Sequence, residues 1–222
     1  VYKENYPYAR EDTRGVFPIT GEDGRILTLQ ARPGPKGKNK ICLDMYLMEK
    51  SLLLKLLSEA ADRRKWDLID IISGHINNLN IYGYAHQGYV AIIDSISSYF
   101  KRHLDLLMPE TWQELFFKNG TIYTKFKDGP PTKYYDLSDV RNTLVANGCL
   151  IEGRVENSVI YRNVKIGRGA LIKNSIIMPK VKIEEDAVLD SVILDKHVLV
   201  RRGARLVGER DKPVIIKKKS VV

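Results

Sequence analysis

The side chains that could do chemistry in this chain are scattered. Four histidines, His75, His86, His103 and His197, stand too far apart in sequence to share a local metal-ligand motif. The acids Glu184-Glu185-Asp186 read as a solvated turn. Cys42 and Cys149 sit in apolar, strand-like contexts, which fits small core residues in a reducing compartment better than a disulfide. Tyr82, Tyr84 and Tyr89 alternate as strand residues do. Basic residues gather at Arg32-Pro33-Gly34-Pro35-Lys36-Gly37-Lys38-Asn39-Lys40 and at Lys217-Lys218-Lys219. Lys36, Lys38 and Lys40 are therefore candidates for an anion-binding surface, against the plainer reading of a solvated loop and tail. A phosphate loop needs backbone N–H groups between a strand and a helix, and the 33–40 stretch lacks that setting. The net charge is +9. A nucleic-acid binder would show aromatics interleaved with the basic stripe or a docking motif, and neither is present.

The elements that position these residues fall into two regions. In the first, Gly21-Glu22-Asp23-Gly24 turns a hairpin between Val16-Phe17 and Arg25 to Leu29. Ile41 to Met48 reads as a buried strand. Glu49 to Ala61 is an amphipathic helix with Leu52, Leu53, Leu56, Leu57 and Ala60 on one face. A short helix covers Leu68 to Ile72, and strands follow at Ile81–Tyr84 and Tyr89–Ile93. Asp94 or Ser95 then caps a helix whose inner face is Ile96, Tyr99, Phe100, His103 and Leu107. Thr111-Trp112-Gln113-Glu114 has capping-box spacing. Residues 121–140 read as strand-rich.

The second region is an internal repeat. Thr143-Leu144-Val145 recurs as Ser158-Val159-Ile160, Ser175-Ile176-Ile177 and Ser191-Val192-Ile193, at spacings of 15, 17 and 16 residues. A second apolar pair follows in each unit, and Gly or Asn marks the corners. One such unit cannot bury its own apolar face, so the units must stack. Three short β-branched runs per turn describe a parallel β-helix with four coils, in which Val159, Ile176 and Val192 point inward. Val214-Ile215-Ile216 can add one more strand. The alternative is an antiparallel β-sandwich, which does not usually repeat side-chain identity so closely.

Composition sets the outer bounds. The chain has 222 residues, 44% of them hydrophobic and 28% charged, enough for one large or two small cores. No apolar run approaches the roughly 20 residues a membrane span needs. The polar start Val1-Tyr2-Lys3-Glu4-Asn5 does not resemble a signal peptide. A cytoplasmic protein is expected.

A set of phrases now carries a resemblance. Leu104-Asp105-Leu106-Leu107 and Pro130-Pro131-Thr132-Lys133-Tyr134 precede Asn142-Thr143-Leu144-Val145-Ala146-Asn147-Gly148-Cys149-Leu150-Ile151-Glu152-Gly153. Asn157-Ser158-Val159-Ile160 and Asn174-Ser175-Ile176-Ile177-Met178-Pro179 follow. From about residue 25 to about residue 207 the chain resembles the second half of bacterial ADP-glucose pyrophosphorylase, the glucose-1-phosphate adenylyltransferase of glycogen synthesis. The resemblance implies the C-terminal half of an α/β nucleotidyltransferase domain over residues 1–120, a connecting segment at 121–141, and a left-handed parallel β-helix with a tail at 142–222. The family's Gly-rich nucleotide loop has no counterpart here. Val1 is therefore expected to be an internal residue of a longer protein.

The departures from the family pattern concern the sugar-phosphate pocket. Where active members carry Glu-Lys-Pro, this chain has Ala31-Arg32-Pro33. Cys42 stands for a Ser and Asp44 for a Gly. In the matched register Arg63 replaces a sugar-contacting Asp. Ile92 replaces the Asp that the resemblance assigns to magnesium, an ion that requires hard oxygen ligands. Asp94 lies two residues on and faces the same side of an ideal strand. The expectation is a degenerate pocket of Ala31, Arg32, Cys42, Asp44, Arg63, Ile92 and Asp94, with no catalytic residue, metal or cofactor assigned.

The resemblance is nearest to the non-catalytic, GlgD-type glycogen biosynthesis proteins. It implies a regulatory subunit that modulates glucose-1-phosphate adenylyltransferase. The expected partner is that enzyme's catalytic subunit in a hetero-oligomer, with a second copy of the chain and a phosphorylated effector as further candidates. Neither nucleic acid nor membrane is expected. The alternative is a working sugar-phosphate nucleotidyltransferase of altered specificity. His197, in the fourth repeat, invites comparison with β-helix acyltransferases, but those stack more coils.

Overall fold

Each unit of the repeat supplies three strands of two or three residues, and each strand pairs in parallel with its counterpart one coil away. The computed structural model describes residues 1–6, 15–31, 40–62, 67–118, 120–125 and 127–222. By internal contacts the chain divides into two units, Val1–Val90 and Ala91–Val222.

In the first unit Tyr2–Lys3 pairs antiparallel with Ile41–Cys42, and Phe17–Thr20 forms a hairpin with Ile26–Gln30. The expected hairpin is therefore present. Helix α1 spans Lys50–Asp62 and helix α2 spans Leu68–Gly74. Asp67 caps α2, its carboxylate accepting the Ile69 N–H at 3.2 Å. Leu56, Ala60 and Ile71 form a small core with Met48, Leu52 and Leu79 against it. Three expected strands are cut short or not formed. Ile41 to Met48 pairs only at Ile41–Cys42, because Asp44 adopts a left-handed φ of 52° and Leu47 stands fully exposed. Tyr89 to Ile93 carries no strand, and Ile81–Tyr84 reduces to an isolated bridge from Tyr82 to Arg25.

The second unit is a parallel β-solenoid of the left-handed β-helix type, following helices α3 (Ile96–Asp105) and α4 (Pro109–Gln113). Three five-stranded sheets form its walls, so it has five coils rather than four. The first coil opens at Lys133–Tyr134 and Asp139–Arg141, inside the stretch read as a connection. These two strands precede Thr143-Leu144-Val145, the first repeat unit and the third strand of the same coil, and they lack its signature. The last coil takes Val214–Ile216 as its third strand, paired with Val192–Leu194. Val221 then bridges Leu199.

Side chains alternate along each short strand. Ile160, Ile177, Val192 and Leu194 enter the lumen core with Ile151, Ile166, Ile183 and Val200. Ile176 and Ile193 pair in register and face the other way, into a cluster with Phe100. Val159 shares the register of Ile176 and its outward face. The inward stacking expected of Val159 and Ile176 is therefore corrected, while Val192 does point inward. Both faces of this sheet are apolar, so periodicity alone could not choose between them.

Helix α3 covers the outer face. Ser95 caps it through the Ser98 N–H at 3.1 Å, and Ser98 Oγ in turn accepts the Ser95 N–H at 2.9 Å. This is a capping box with Ser at both ends. Phe100 is fully buried, as is Ile176. Ile96, expected on the inner face, is exposed. The next helix begins at Pro109, which suits a first-turn position with no N–H to satisfy, so Thr111 lies inside it rather than at its cap. Residues 120–125 and 127–132 carry no strand.

Candidate functional site

The first unit holds a cavity of about 480 Å³, lined mainly by apolar side chains including Tyr2, Ile26, Leu29, Met48 and Leu56. Gly83 lies on its wall under tight constraint. A Cβ there would stand 2.6 Å from the Tyr2 ring and 2.9 Å from Ile26.

Cys42 and Asp44 meet beside this cavity. Cys42 ends the short strand, and Asp44 begins the turn that stops it. The Tyr46 hydroxyl donates to Asp44 Oδ1 at 3.0 Å and lies 3.9 Å from Cys42 Sγ. Burial, reinforced by the neighbouring thiol and carboxylate, pushes the Tyr46 hydroxyl well above its ordinary pKa. It is a protonated donor at neutral pH. Tyr46 was missed by sequence reasoning: the left-handed Asp44 takes the segment out of the extended pattern that would put 42, 44 and 46 on one side.

Two further candidates of the first unit are described, Ala31 and Lys40. Ala31 follows the hairpin strand and is exposed, with no polar group to offer. Lys40 Nζ lies 3.4 Å from Glu4 Oε1, donates to Thr20 Oγ1 at 2.5 Å, and sits 5.1 Å from the centre of the Tyr2 ring. Its charge is thus already engaged by a carboxylate. Arg32, Lys36, Lys38 and Arg63 lie outside the described residues. Ile92 and Asp94 belong to the second unit. Ile92 is half-buried. Asp94 is exposed, and its backbone N–H donates to Ser98 Oγ at 3.0 Å, extending the α3 cap. Among the described residues, no group of three or more His, Cys, Asp or Glu is placed to hold a metal ion.

Two histidines are accounted for by packing. His75 Nδ1 lies 2.8 Å from the Ile71 carbonyl and Nε2 lies 2.9 Å from Glu59 Oε2, which ties α2 to α1. His103 Nδ1 lies 3.0 Å from the Tyr99 carbonyl, so this nitrogen carries the proton. Its Nε2 then accepts from the Tyr161 hydroxyl at 3.1 Å. Burial holds the His103 pKa below its ordinary value and that of Tyr161 above. His197 occupies an exposed solenoid turn with φ 61°. No described helix is long and apolar enough to cross a membrane.

Comparison with known proteins places this geometry among relatives. The GlmU-like C-terminal hexapeptide family matches residues 130–213, most of the solenoid. Over 176 residues the chain is 42% identical to the glycogen biosynthesis protein GlgD of Bacillus subtilis, covering 79% of this chain and 51% of that protein. It is 45% identical over 130 residues to the GlgD of Geobacillus stearothermophilus, covering 59% of this chain and 38% of that protein. It is 31% identical over 166 residues to the glucose-1-phosphate adenylyltransferase of Thermosipho africanus, covering 73% and 40%. The chain thus spans about half the length, or less, of the relatives it matches.

Proposed function

We propose that this chain, which is homologous over part of its length to the glycogen biosynthesis protein GlgD and to glucose-1-phosphate adenylyltransferases, forms part of a regulatory subunit. That subunit modulates a glucose-1-phosphate adenylyltransferase and does not itself transfer the adenylyl group. The observation that carries the reading is the pairing of two facts. Identity is 42–45% to the GlgD proteins against 31% to an adenylyltransferase. At the same time, aliphatic Ala31 and Ile92 stand where the resemblance assigns a sugar-binding Glu and a magnesium-binding Asp.

The chemistry supports this direction. A metal between phosphates neutralises charge that builds up in phosphoryl transfer, and an isoleucine offers neither a ligand nor a charge. A methyl group at position 31 cannot accept a hydroxyl hydrogen bond from a sugar. Beside the cavity, the Asp44 carboxylate already accepts from the fixed Tyr46 hydroxyl.

Regulation then proceeds by differential contact. A subunit raises its partner's activity only by binding the active conformation better than the inactive one. The solenoid is the element suited to this, since stacked coils give a rigid surface. A second reading, a nucleotidyltransferase of altered specificity, has a single point in its favour: Asp94 is an exposed carboxylate two residues from Ile92.

The test is adenylyl transfer from ATP to glucose 1-phosphate by the full-length protein alone, with Mg²⁺. The expected result is no turnover above background. Turnover that disappears in Asp94→Asn would establish the enzyme reading instead.

A further inference from the structure

We propose that one corner of the solenoid is a docking edge for an acidic protein segment. The proposal does not depend on the regulatory role argued above. Each coil makes a two-residue turn between its 159–160-type strand and its 165–166-type strand, and these turns stack by backbone hydrogen bonds. The Asn163 N–H donates to the Asn147 carbonyl at 3.1 Å, Lys180 to Arg162 at 3.0 Å, His197 to Pro179 at 3.2 Å, and Lys219 to Lys196 at 3.0 Å. The second turn residue is left-handed in every coil, with φ from 59° to 79° at Gly148, Asn163, Lys180, His197 and Lys219. The register therefore lines up exposed Arg162, Lys180, Lys196, His197, Lys218 and Lys219 along one edge.

The lysine run read from sequence as a solvated tail is thus the end of a column. Coils repeat every 4.7–4.9 Å or so, and the four basic coils span roughly 14 Å. Among the described residues, no ion pair reaches Arg162, Lys180, Lys196, Lys218 or Lys219. The neighbouring acid is Asp195, whose carboxylate accepts the Lys196 N–H at 2.6 Å.

The next corner of the same solenoid is built differently. There Arg202 lies 3.5 Å from Glu185 and 3.3 Å from Asp186, so stacked charges compensate one another. Only the first corner presents like charges stacked at coil spacing, where they repel. An extended anion relieves this repulsion along its length. A small one, on a convex edge, meets one or two cations at a time.

The chemistry favours protein over nucleic acid. Strand binding uses aromatic faces between the cations. The one aromatic ring other than His197 in these turns is Tyr161, and it is taken up by the Phe100 cluster and by His103. Glutamates along one helix face recur every turn, 5.4 Å apart, close to the coil spacing.

The experiment measures fluorescence anisotropy of a labelled glutamate-rich peptide with the full-length protein at low and moderate salt. One variant carries Arg162→Glu, Lys196→Glu and Lys218→Glu, all at turn positions free of left-handed strain. A control carries Arg168→Glu, Arg202→Glu and Arg205→Glu, an equal change in net charge at and beside the compensated corner. The expected result is that the column variant weakens binding at least about tenfold and the control less than about threefold, with wild-type affinity falling as salt rises. If a variant is shown by its melting to be misfolded, glutamine at the same three positions replaces glutamate and is expected to weaken binding by about threefold or more. The proposal is overturned if wild type does not bind the peptide, or if both triples weaken it equally. Tighter binding of an equally charged oligonucleotide would also overturn it, in favour of a nucleic-acid surface.

Discussion

The Tyr161 hydroxyl lies 3.1 Å from His103 Nε2, joining a solenoid turn to a helix 58 residues earlier in the chain. Around this bond Tyr99, Phe100 and Leu104 pack on Ile176, Ile193 and Met178. The helix is thereby part of the second unit's core. Phe100→Ala should cost about 3–5 kcal/mol of stability, because a fully buried ring leaves a cavity that rigid coils cannot fill. Chemical denaturation of the full-length protein measures this. A cost below about 1 kcal/mol would mean that α3 does not dock on the sheet as described.

Ile176→Asp should be at least as damaging, by several kcal/mol, since the carboxylate would be buried against Phe100 without a partner. The diagnostic is coupling. In a double-mutant cycle with Phe100→Ala, the two losses should be less than additive by about 0.5 kcal/mol or more, as contacting residues share one cluster. Additive losses would place Ile176 in the lumen instead.

Acid should loosen the same junction. Burial lowers the His103 pKa in the folded state, with the Tyr99 carbonyl opposing this more weakly. The unfolded chain therefore takes up its proton first as pH falls. The contribution of His103 to stability is fully present above its ordinary pKa of 6.5 and is lost as pH falls through the lowered folded value. Melting curves between neutral and mildly acid pH should show a larger drop for wild type than for His103→Gln. Parallel pH profiles would contradict the assignment.

The corner of the second coil is tight. A Cβ at Gly153 would stand 2.5 Å from the Ala170 carbonyl oxygen and 2.9 Å from that of Gly167, both backbone atoms of the next coil. Gly153→Ala should therefore destabilise the protein by about 1–3 kcal/mol, whereas Ala for Gly at an unconstrained site is normally neutral or better. Unchanged stability in a denaturant melt would show that the coils can part without penalty.

Legibility in the sequence followed repetition. The Ser-Val-Ile units fixed the stacking, the small corner residues and the added strand at Val214–Ile216, because each coil restates the same local chemistry. The first two strands of the first coil were hidden, since Lys133–Tyr134 and Asp139–Arg141 lack that signature and are recognised only through their pairing with Leu150–Ile151 and Arg154–Glu156. Which way Ile176 faced was equally hidden, because both sides of its sheet are apolar and the covering helix comes from elsewhere in the chain. In the first unit, the left-handed Asp44 broke a strand that apolar pattern alone predicted. The grouping of Cys42, Asp44 and Tyr46 needed the hydroxyl's position, which no pattern supplies.

The proposed regulatory role requires that the protein act through a partner, so the rate of that partner is the quantity to measure. Tagged full-length protein is mixed at micromolar concentration with a catalytic glucose-1-phosphate adenylyltransferase subunit from the same organism. ADP-glucose formation is then followed alongside co-purification. The expected result is a stable complex and a rate of the catalytic subunit changed at least severalfold, a coupling of about 1 kcal/mol or more. Separate migration of the two proteins with an unchanged rate would contradict it.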